Sequence, residues 1–141
     1  MIAEDRIRAL IEARIPATAS KDAAALSDHY AAHVILFDAV GPLCQAGADA
    51  QAERAAEWLS AYQGPIDYQI RDLEVTVGGQ VAFCHYLYRI GGTMTDGTRV
   101  GMWLRSTVCL RQDDQDWLIT HEHTSVPFDG ATGAASLTLE P

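Results

Sequence analysis

The sequence predicts an α+β domain in which three N-terminal helices pack on one face of a strongly bent, cone-shaped antiparallel sheet. Two observations predict this class. Apolar residues recur with the 3.6-residue period of helices early in the chain, and they alternate with polar residues from residue 66 onward. With 141 residues the chain has the length of one domain, which we place at residues 1–128, followed by a C-terminal tail at 129–141.

The three helices are predicted from apolar stripes and from residues that start or end helices. The first carries a stripe at helical spacing, formed by Ile7, Leu10, Ile11, Arg14 and Ile15. We expect Pro16 to end this helix. A second, shorter helix is expected to begin at Ser20 as its N-cap and to run to Asp28. The third covers residues 52–62 with an Ala-rich face and ends before Gly64.

Five strands are expected, near residues 34–38, 66–77, 81–90, 99–112 and 116–126. The glycines and the proline of the segment 41–47 predict a loop. Up to Ile70 the apolar residues of this segment stand at even-numbered positions, and from Leu73 they stand at odd-numbered positions. Because a slip of one residue turns every side chain to the other face, this switch predicts a β-bulge near Arg71–Asp72 that bends the sheet.

Composition and charge exclude several classes of partner. The formal net charge of −9 comes from 19 acidic and 10 basic residues. Nucleic acid requires a basic face, so it is not an expected partner. No apolar stretch reaches the roughly 18–20 residues that cross a bilayer, so no membrane partner is expected. Three cysteines without a CxxC pair fit reduced thiols, and we expect a cytoplasmic protein.

The strands of the second half bring polar residues onto one face of the sheet. In the register predicted from the turns, Arg105 faces His123 on one side and His85 on the other. The odd-numbered face then carries His85, Trp103, Arg105, Thr107, His121, His123 and Ser125. We expect this face to floor a pocket, in which Arg105 binds an oxygen of a small molecule and His85 or His123 transfers protons. The alternative is a buried structural network or a sheet-to-sheet interface between two copies of the chain.

A metal site is not expected on this face. His121 and His123 share the face with His85, which is a possible set of ligands. Arg105 lies between them in the predicted register, however, and its fixed positive charge opposes a divalent ion. No cofactor is implied by any motif.

Asp38 is a candidate general base at the end of the first strand. Apolar neighbours such as Phe37 and Trp58 would raise its pKa in that role. The alternative is a carboxylate that caps the following turn. Tyr30 is a possible hydroxyl donor, and Trp58 and Tyr62 are either core residues or part of a ligand wall.

Four stretches resemble the SnoaL-like, ketosteroid-isomerase-like branch of the nuclear-transport-factor-2-like superfamily. They are VILFDAVGPL (34–43), GPIDYQIRDLEV (64–75), AFCHYLYRIGGTMTDG (82–97) and GMWLRSTVCLRQDDQDWLITHEHTSVPFD (101–129). The order of elements resembles this superfamily over about residues 3–128. The resemblance implies a cystatin-like α+β fold and a cone-shaped cavity. It leaves the activity open, since the superfamily includes isomerases, dehydratases, polyketide cyclases, hydrolases and non-catalytic association domains.

Two hypotheses about function follow from the residues and the resemblance. The first is cofactor-free acid–base catalysis on a small apolar or carbonyl-bearing molecule. The second is a non-catalytic ligand-binding or association domain. A homodimer is expected in either case, because three short helices leave much of a long sheet uncovered. In the kinase association domains of this superfamily, the pocket residues correspond to the even-numbered face, which here carries Glu122 and Thr124. On that alternative, Glu122 is the acid of the pocket.

Overall fold

Four helices lie in the first half of the computed structural model, which describes residues 2–141. They are α1 (Ala3–Glu12), α2 (Arg14–Ala19), α3 (Ala23–Ser27) and α4 (Ala48–Ser60). The apolar stripe of the first predicted helix faces the core, where Ile7 and Ile11 are fully buried. Among the residues described, no helix is long and apolar enough to cross a membrane.

The first predicted helix is divided into α1 and α2, so the described chain has four helices where three were expected. Pro16 does not end a helix. It occupies the first turn of α2, where backbone N–H groups have no helical partner and a missing N–H costs nothing. The N-cap of α3 is Asp22 and not Ser20, since Asp22 Oδ1 accepts a 3.0 Å hydrogen bond from the Ala25 N–H. Ser20 instead donates its hydroxyl proton to the Pro16 carbonyl, at 2.9 Å.

In residues 2–141, six strands form one sheet. They are β1 (Tyr30–Phe37), β2 (Gln45–Ala46), β3 (Tyr62–Gly78), β4 (Val81–Met94), β5 (Arg99–Asp113) and β6 (Asp116–Ser125). Their order is β2-β1-β6-β5-β4-β3, and every neighbouring pair is antiparallel except β1 and β6, which run parallel. The first strand begins earlier than predicted, at Tyr30. The segment 41–47 is not entirely a loop, because it contains β2.

The β-bulge predicted near Arg71–Asp72 is confirmed. The pairing of β3 with β4 changes register between Arg71 and Glu74, and Asp72 has a φ of 57°. Another register shift follows Cys109 in the pairing of β5 with β6. Bulges increase the local twist of a sheet, and the sheet curves around the helices without closing.

The strand pairings differ from the predicted ones by two residues. Arg105 pairs with Ser125 and Leu87, and not with His123 and His85. Because alternate side chains point to opposite faces of a strand, a difference of two residues keeps each side chain on its predicted face. The residues predicted to share a face with Arg105 therefore do share it.

The turns account for the difference in register. The β4–β5 turn closes with a 2.7 Å hydrogen bond from the Met94 N–H to the Thr98 carbonyl, which centres the hairpin on Asp96. The predicted centre lay one residue earlier. In the β5–β6 hairpin, the register shift between Cys109 and Leu110 places the partners of Cys109 and of the earlier β5 residues one position further along β6.

The helices cover the even-numbered face of β4 and β5. The buried side chains of that face are Ala82, Cys84, Tyr86, Tyr88, Ile90, Leu104, Ser106, Val108 and Leu110. We call the opposite side the outer face; it carries His85, Trp103, Arg105, Thr107, His121, His123 and Ser125. Beyond β6 the tail makes an isolated bridge between Phe128 and Ala135.

Candidate functional site

A cavity of about 470 Å³ lies between the helices and the even-numbered face of the sheet. This volume is within the roughly 300–1,000 Å³ that is usual for small-molecule sites. Much of its wall is apolar or aromatic and includes Leu36, Trp58, Ile90, Met102 and Leu104. Polar side chains from separate elements lie between these apolar residues, among them Arg14, Tyr30, Asp38, Tyr88 and Glu122.

A buried ion pair forms one polar part of the wall. Arg14 on α2 binds the Glu122 carboxylate on β6 through both terminal nitrogens, with Nη2–Oε1 at 2.8 Å and Nη1–Oε2 at 3.3 Å. The two side chains are only 11% and 14% exposed. Arg14 also donates to the Tyr30 hydroxyl at 3.1 Å and to the Tyr86 hydroxyl at 2.7 Å. Tyr30 in turn donates to Glu122 Oε1 at 2.7 Å.

This network fixes the protonation of its members. Burial lowers the pKa of Arg14, but the Glu122 carboxylate together with the hydroxyl groups of Tyr30, Tyr86 and Tyr68 more than offsets this effect, and the pKa of Arg14 is raised well above its usual value. Burial raises the pKa of Tyr30 well above its ordinary value, although the nearby Arg14 acts in the opposite direction. Arg14 is therefore a cation and Tyr30 a neutral phenol at physiological pH.

Two further tyrosines, Tyr68 and Tyr88, line the sheet side of the cavity. Their rings stack with centroids 5.3 Å apart and an interplanar angle of 20°. Burial is the main cause that raises the pKa of both phenols. Both hydroxyl groups therefore remain protonated at neutral pH and are chemically able to donate a hydrogen bond to an oxygen of a bound molecule.

Asp38 lies where the cavity meets solvent, with its side chain 42% exposed. Its Oδ1 accepts hydrogen bonds from the Thr124 hydroxyl at 3.0 Å and from the Ala39 N–H at 2.7 Å. Its Oδ2 is 3.1 Å from Arg54 Nη2. These contacts come from a loop, a strand and a helix, and they hold the carboxylate in one orientation.

The loop after Asp38 is fastened by the same arginine. Arg54 Nη2 donates to the Val40 carbonyl at 2.9 Å. Gly41 has a φ of 98°, and a Cβ at this position would lie 2.6 Å from Arg54 Nη1. Glycine at position 41 thus provides both the left-handed backbone and the space for the guanidinium.

Four of the site residues predicted from the sequence line the cavity, namely Tyr30, Asp38, Trp58 and Glu122. The other five, His85, Trp103, Arg105, His121 and His123, lie on the outer face. The expectation that the odd-numbered face floors the pocket is therefore corrected, and the pocket lies on the side of Glu122 and Thr124. The physical reason is that the helices cover the face with the larger apolar area, while solvent hydrates the histidines and Arg105 on the other.

The outer face has contacts of its own. Phe37 packs edge-on against His121 and His123, with ring centroids 4.7 Å and 5.5 Å away. His121 Nδ1 lies 2.8 Å from the Ile35 carbonyl, so Nδ1 carries the proton that is donated.

Elsewhere on the outer face, Arg105 Nε donates to Ser125 Oγ at 3.1 Å. His85 Nε2 is 3.7 Å from a carboxylate oxygen of Glu74, and both side chains are exposed.

Several cavity residues were not found from the sequence as site residues. Arg14, Thr18, Gln51, Tyr68 and Tyr88 all line the cavity. The clearest signal in the sequence was Arg14, a charged residue within the otherwise apolar stripe of the first predicted helix. A charge at such a position must have a buried partner or face a polar group. Arg14 is paired with Glu122 and lines the cavity.

The comparisons with known proteins agree on the family and the fold. The model of the SnoaL-like domain family matches residues 7–129. A solved NTF2-like protein of unknown function from Pseudomonas putida KT2440 is 31% identical, with a TM-score of 0.88, and the match covers 99% of this chain and 96% of that one. No curated protein matches the sequence.

Two solved structures of lower identity share the fold. One is a proposed calcium/calmodulin-dependent protein kinase II association domain from Xanthomonas campestris, with 21% identity, a TM-score of 0.72 and coverage of 85% of this chain and 84% of that one. The other is a proposed dehydratase of the NTF2-like family from Streptomyces avermitilis, with 20% identity, a TM-score of 0.73 and coverage of 86% and 93%.

Proposed function

The chain belongs to the SnoaL-like domain family, and we propose that its cavity binds a small, uncharged, largely apolar molecule that carries a carbonyl oxygen. The observation that carries this proposal is the cavity of about 470 Å³, whose exposed wall is mainly apolar and whose polar groups are held in place by hydrogen bonds and ion pairs. Burial of apolar ligand surface supplies the affinity, while the polar groups determine the orientation of the ligand.

The charges on the cavity wall favour an uncharged ligand. Both arginines that line the cavity are paired, Arg14 with Glu122 at 2.8 Å and Arg54 with Asp38 at 3.1 Å. An anionic ligand would have to compete with these carboxylates, and a cationic ligand would have to compete with the guanidinium groups for Asp38 and Glu122; the remaining acid of the lining, Glu57, is exposed to solvent. Burial of an unpaired ligand charge costs several kcal/mol (order of magnitude).

The tyrosines on the sheet side favour a carbonyl oxygen. Tyr68 and Tyr88 line the cavity, and burial keeps their hydroxyl groups protonated. A protonated phenol donates to a carbonyl oxygen, and it stabilises that oxygen further when negative charge develops on it.

Asp38 supplies a proton acceptor beside this oxygen site. Its carboxylate is held by Thr124, Ala39 and Arg54, and it lines the cavity. In the proposed reaction Asp38 takes a proton from the carbon next to the ligand carbonyl, a phenol hydroxyl stabilises the resulting enolate oxygen, and the proton returns to a carbon of the ligand. Isomerisation and dehydration of carbonyl compounds share this first step.

The test of the binding proposal is an NMR titration of the isotope-labelled protein with 2-acetylnaphthalene, and with 2-naphthoate as a charged analogue. We expect 2-acetylnaphthalene to shift the backbone amides of α2, α4 and the cavity side of β4 and β5. The carboxylate should bind at least about tenfold more weakly, because its charge has no unpaired cation on the cavity wall. Absence of binding by the ketone up to its solubility limit, or shifts confined to the outer face, would overturn the proposal.

A second candidate function is association of two copies through the outer face. Large apolar side chains remain exposed on this side, including Ile35, Phe37, Val81 and Phe83. Exposed apolar patches of this kind mark association surfaces. The Xanthomonas structure described as a kinase association domain has the same fold. We infer a homodimer in which two outer faces pack together around a two-fold axis.

The test of association is the oligomeric state of Phe83→Lys, since the Phe83 side chain is 46% exposed on the outer face. Sedimentation at micromolar concentration should give a dimer for the wild type and a monomer for the variant. Gln80→Lys in the exposed β3–β4 turn is the matched control and should remain dimeric. A monomeric wild type would rule out this candidate function.

A further inference from the structure

Asp38 and Thr124 are brought together by the parallel pairing of β1 with β6. Phe37, the last residue of β1, pairs with His123, so the residues that follow them, Asp38 and Thr124, are neighbours in the same direction. Both line the cavity. Thr124 is only 9% exposed, whereas the Asp38 side chain is 42% exposed. A nearly buried hydroxyl group therefore contacts a carboxylate at the mouth of the cavity.

The contacts of the Thr124 hydroxyl group determine where its proton points. The hydroxyl oxygen lies 3.0 Å from Asp38 Oδ1 and 3.1 Å from the backbone nitrogen of Ala39. An ionised carboxylate only accepts hydrogen bonds, and a backbone N–H only donates them. Thr124 therefore donates its proton to Asp38 and accepts a hydrogen bond from Ala39.

Hydrogen bonds from the protein leave one oxygen of the Asp38 carboxylate partly free. Each carboxylate oxygen has about two lone-pair positions. Oδ1 accepts from the Thr124 hydroxyl at 3.0 Å and from the Ala39 N–H at 2.7 Å, so both of its positions are occupied. Within residues 2–141, Oδ2 accepts only from Arg54 Nη2, at 3.1 Å. The open acceptor position of this carboxylate is therefore on Oδ2.

We propose that Thr124 is the positioning residue for the proton acceptor of this cavity, because its hydroxyl group, together with the Ala39 N–H, occupies Oδ1 and leaves Oδ2 to take the proton. In this step the C–H bond beside the ligand carbonyl breaks, its electron pair forms the enolate, and the proton binds Oδ2. This inference rests on the proposed function, because it concerns the same carboxylate.

Without the Thr124 hydroxyl group the carboxylate loses the contact that distinguishes its two oxygens. The remaining donor to Oδ1 is the N–H of the adjacent residue, and the Arg54 side chain is 29% exposed, so water competes for it. Rotation about the Cβ–Cγ bond of aspartate meets only a broad, shallow barrier. The carboxylate then adopts several orientations, and only some of them place a free lone pair toward the ligand.

The test measures exchange of the methyl protons of 2-acetylnaphthalene for deuterium in D₂O, extrapolated to saturating ketone, and the dissociation constant of the ketone by calorimetry. Thr124→Val keeps the shape of the side chain and removes the hydroxyl group. We expect the saturated exchange rate to fall roughly tenfold through loss of orientation, while the dissociation constant stays within about twofold of the wild-type value. Thr124→Ser retains a hydroxyl group and should restore most of the rate.

Thr120→Val is the matched control on the same strand. The Thr120 hydroxyl donates to the Cys109 carbonyl at 3.3 Å, and Thr120 does not line the cavity. This variant should exchange at the wild-type rate, which separates the loss of one contact to Asp38 from the general effect of replacing a threonine on β6. Thermal melting of each variant shows whether it is folded.

The outcomes separate this inference from the proposed function. If exchange by the wild type is lost in Asp38→Asn but persists at the wild-type rate in Thr124→Val, the positioning role is wrong and the proposed function stands. A Thr124→Val protein that loses affinity for the ketone but keeps its saturated rate would also overturn the inference, as would a loss of rate that Thr124→Ser does not restore. If the wild type does not accelerate exchange, both proposals fail.

Discussion

Arg14 on α2 and Glu122 on β6, which are 108 residues apart in the sequence, form a bidentate ion pair whose closest nitrogen and oxygen are 2.8 Å apart. This contact joins the helical layer to the sheet at the wall of the cavity. Both side chains are nearly buried, and the hydroxyl groups of Tyr30 and Tyr86 complete the coordination of the guanidinium. The pair therefore stabilises the packing of α2 on the sheet. Because its two charges neutralise each other, it adds no net charge to the cavity wall.

Removal of one partner of this pair should destabilise the protein strongly. Arg14→Met leaves the Glu122 carboxylate buried without its cation, and we expect the free energy of unfolding to fall by about 3 kcal/mol. The double variant Arg14→Met/Glu122→Met should recover most of this loss, because both charges are removed together. Urea unfolding of the single and double variants measures these values.

The control for this prediction is Arg54→Met. The Arg54–Asp38 pair is more exposed, at 29% and 42%, and its loss should cost less than about 1 kcal/mol. If Arg14→Met is no more destabilising than Arg54→Met, the buried pair does not have the structural role described here.

Alkaline pH should weaken the fold through groups that are buried in the neutral form. Burial raises the pKa of the Cys84 thiol from 9.0 to about 12, and burial also raises the pKa of Tyr30, Tyr68 and Tyr86. Above about pH 9 the unfolded chain loses the Cys84 proton while the folded chain keeps it. The stability from this group is thus fully present below pH 9 and is lost as pH rises toward 12.

Cys84→Val isolates the contribution of the thiol. Between pH 9 and 11 the free energy of unfolding of the wild type should fall more steeply than that of the variant, by up to about 1.4 kcal/mol per pH unit. Urea titrations at pH 8, 9, 10 and 11 measure both slopes. Equal slopes would show that Cys84 does not titrate differently in the folded and unfolded states.

Asp38→Asn tests the proposed proton transfer. The wild type should accelerate exchange of the methyl protons of 2-acetylnaphthalene for deuterium in D₂O, followed by ¹H NMR. The amide is a far poorer proton acceptor, so the accelerated rate should fall at least about 100-fold, while binding of the ketone persists. Arg105→Lys, on the outer face, is the control and should exchange at the wild-type rate. Exchange by Asp38→Asn at the wild-type rate would eliminate Asp38 as the base.

Alternation along the strands predicted which residues share a face but not which face the helices cover. The parity switch after Ile70 was visible in the sequence, and it predicted the bulge correctly. A pairing error of two residues left Arg105, His121 and His123 on one face, as predicted. The choice of pocket side was wrong because both faces mix polar and apolar residues, and because three-dimensional packing decides which face the helices bury.

The ion pair could not be derived from sequence because its partners lie far apart in the chain. Arg14 was visible as a charge in an apolar stripe, and Glu122 as a charge among apolar residues of the even-numbered face. Only the parallel pairing of β1 with β6 and the position of α2 bring Arg14, Tyr30 and Glu122 together.

The most direct test of the cavity as a ligand site is a pair of adjacent substitutions on α4. Ala55 lines the cavity, and the next residue, Ala56, is exposed. Ala55→Trp should fill part of the cavity and weaken binding of 2-acetylnaphthalene at least about tenfold, whereas Ala56→Trp should bind it as the wild type does. Calorimetric dissociation constants for the three proteins decide the question. Equal affinity in Ala55→Trp and Ala56→Trp would contradict a ligand site in this cavity.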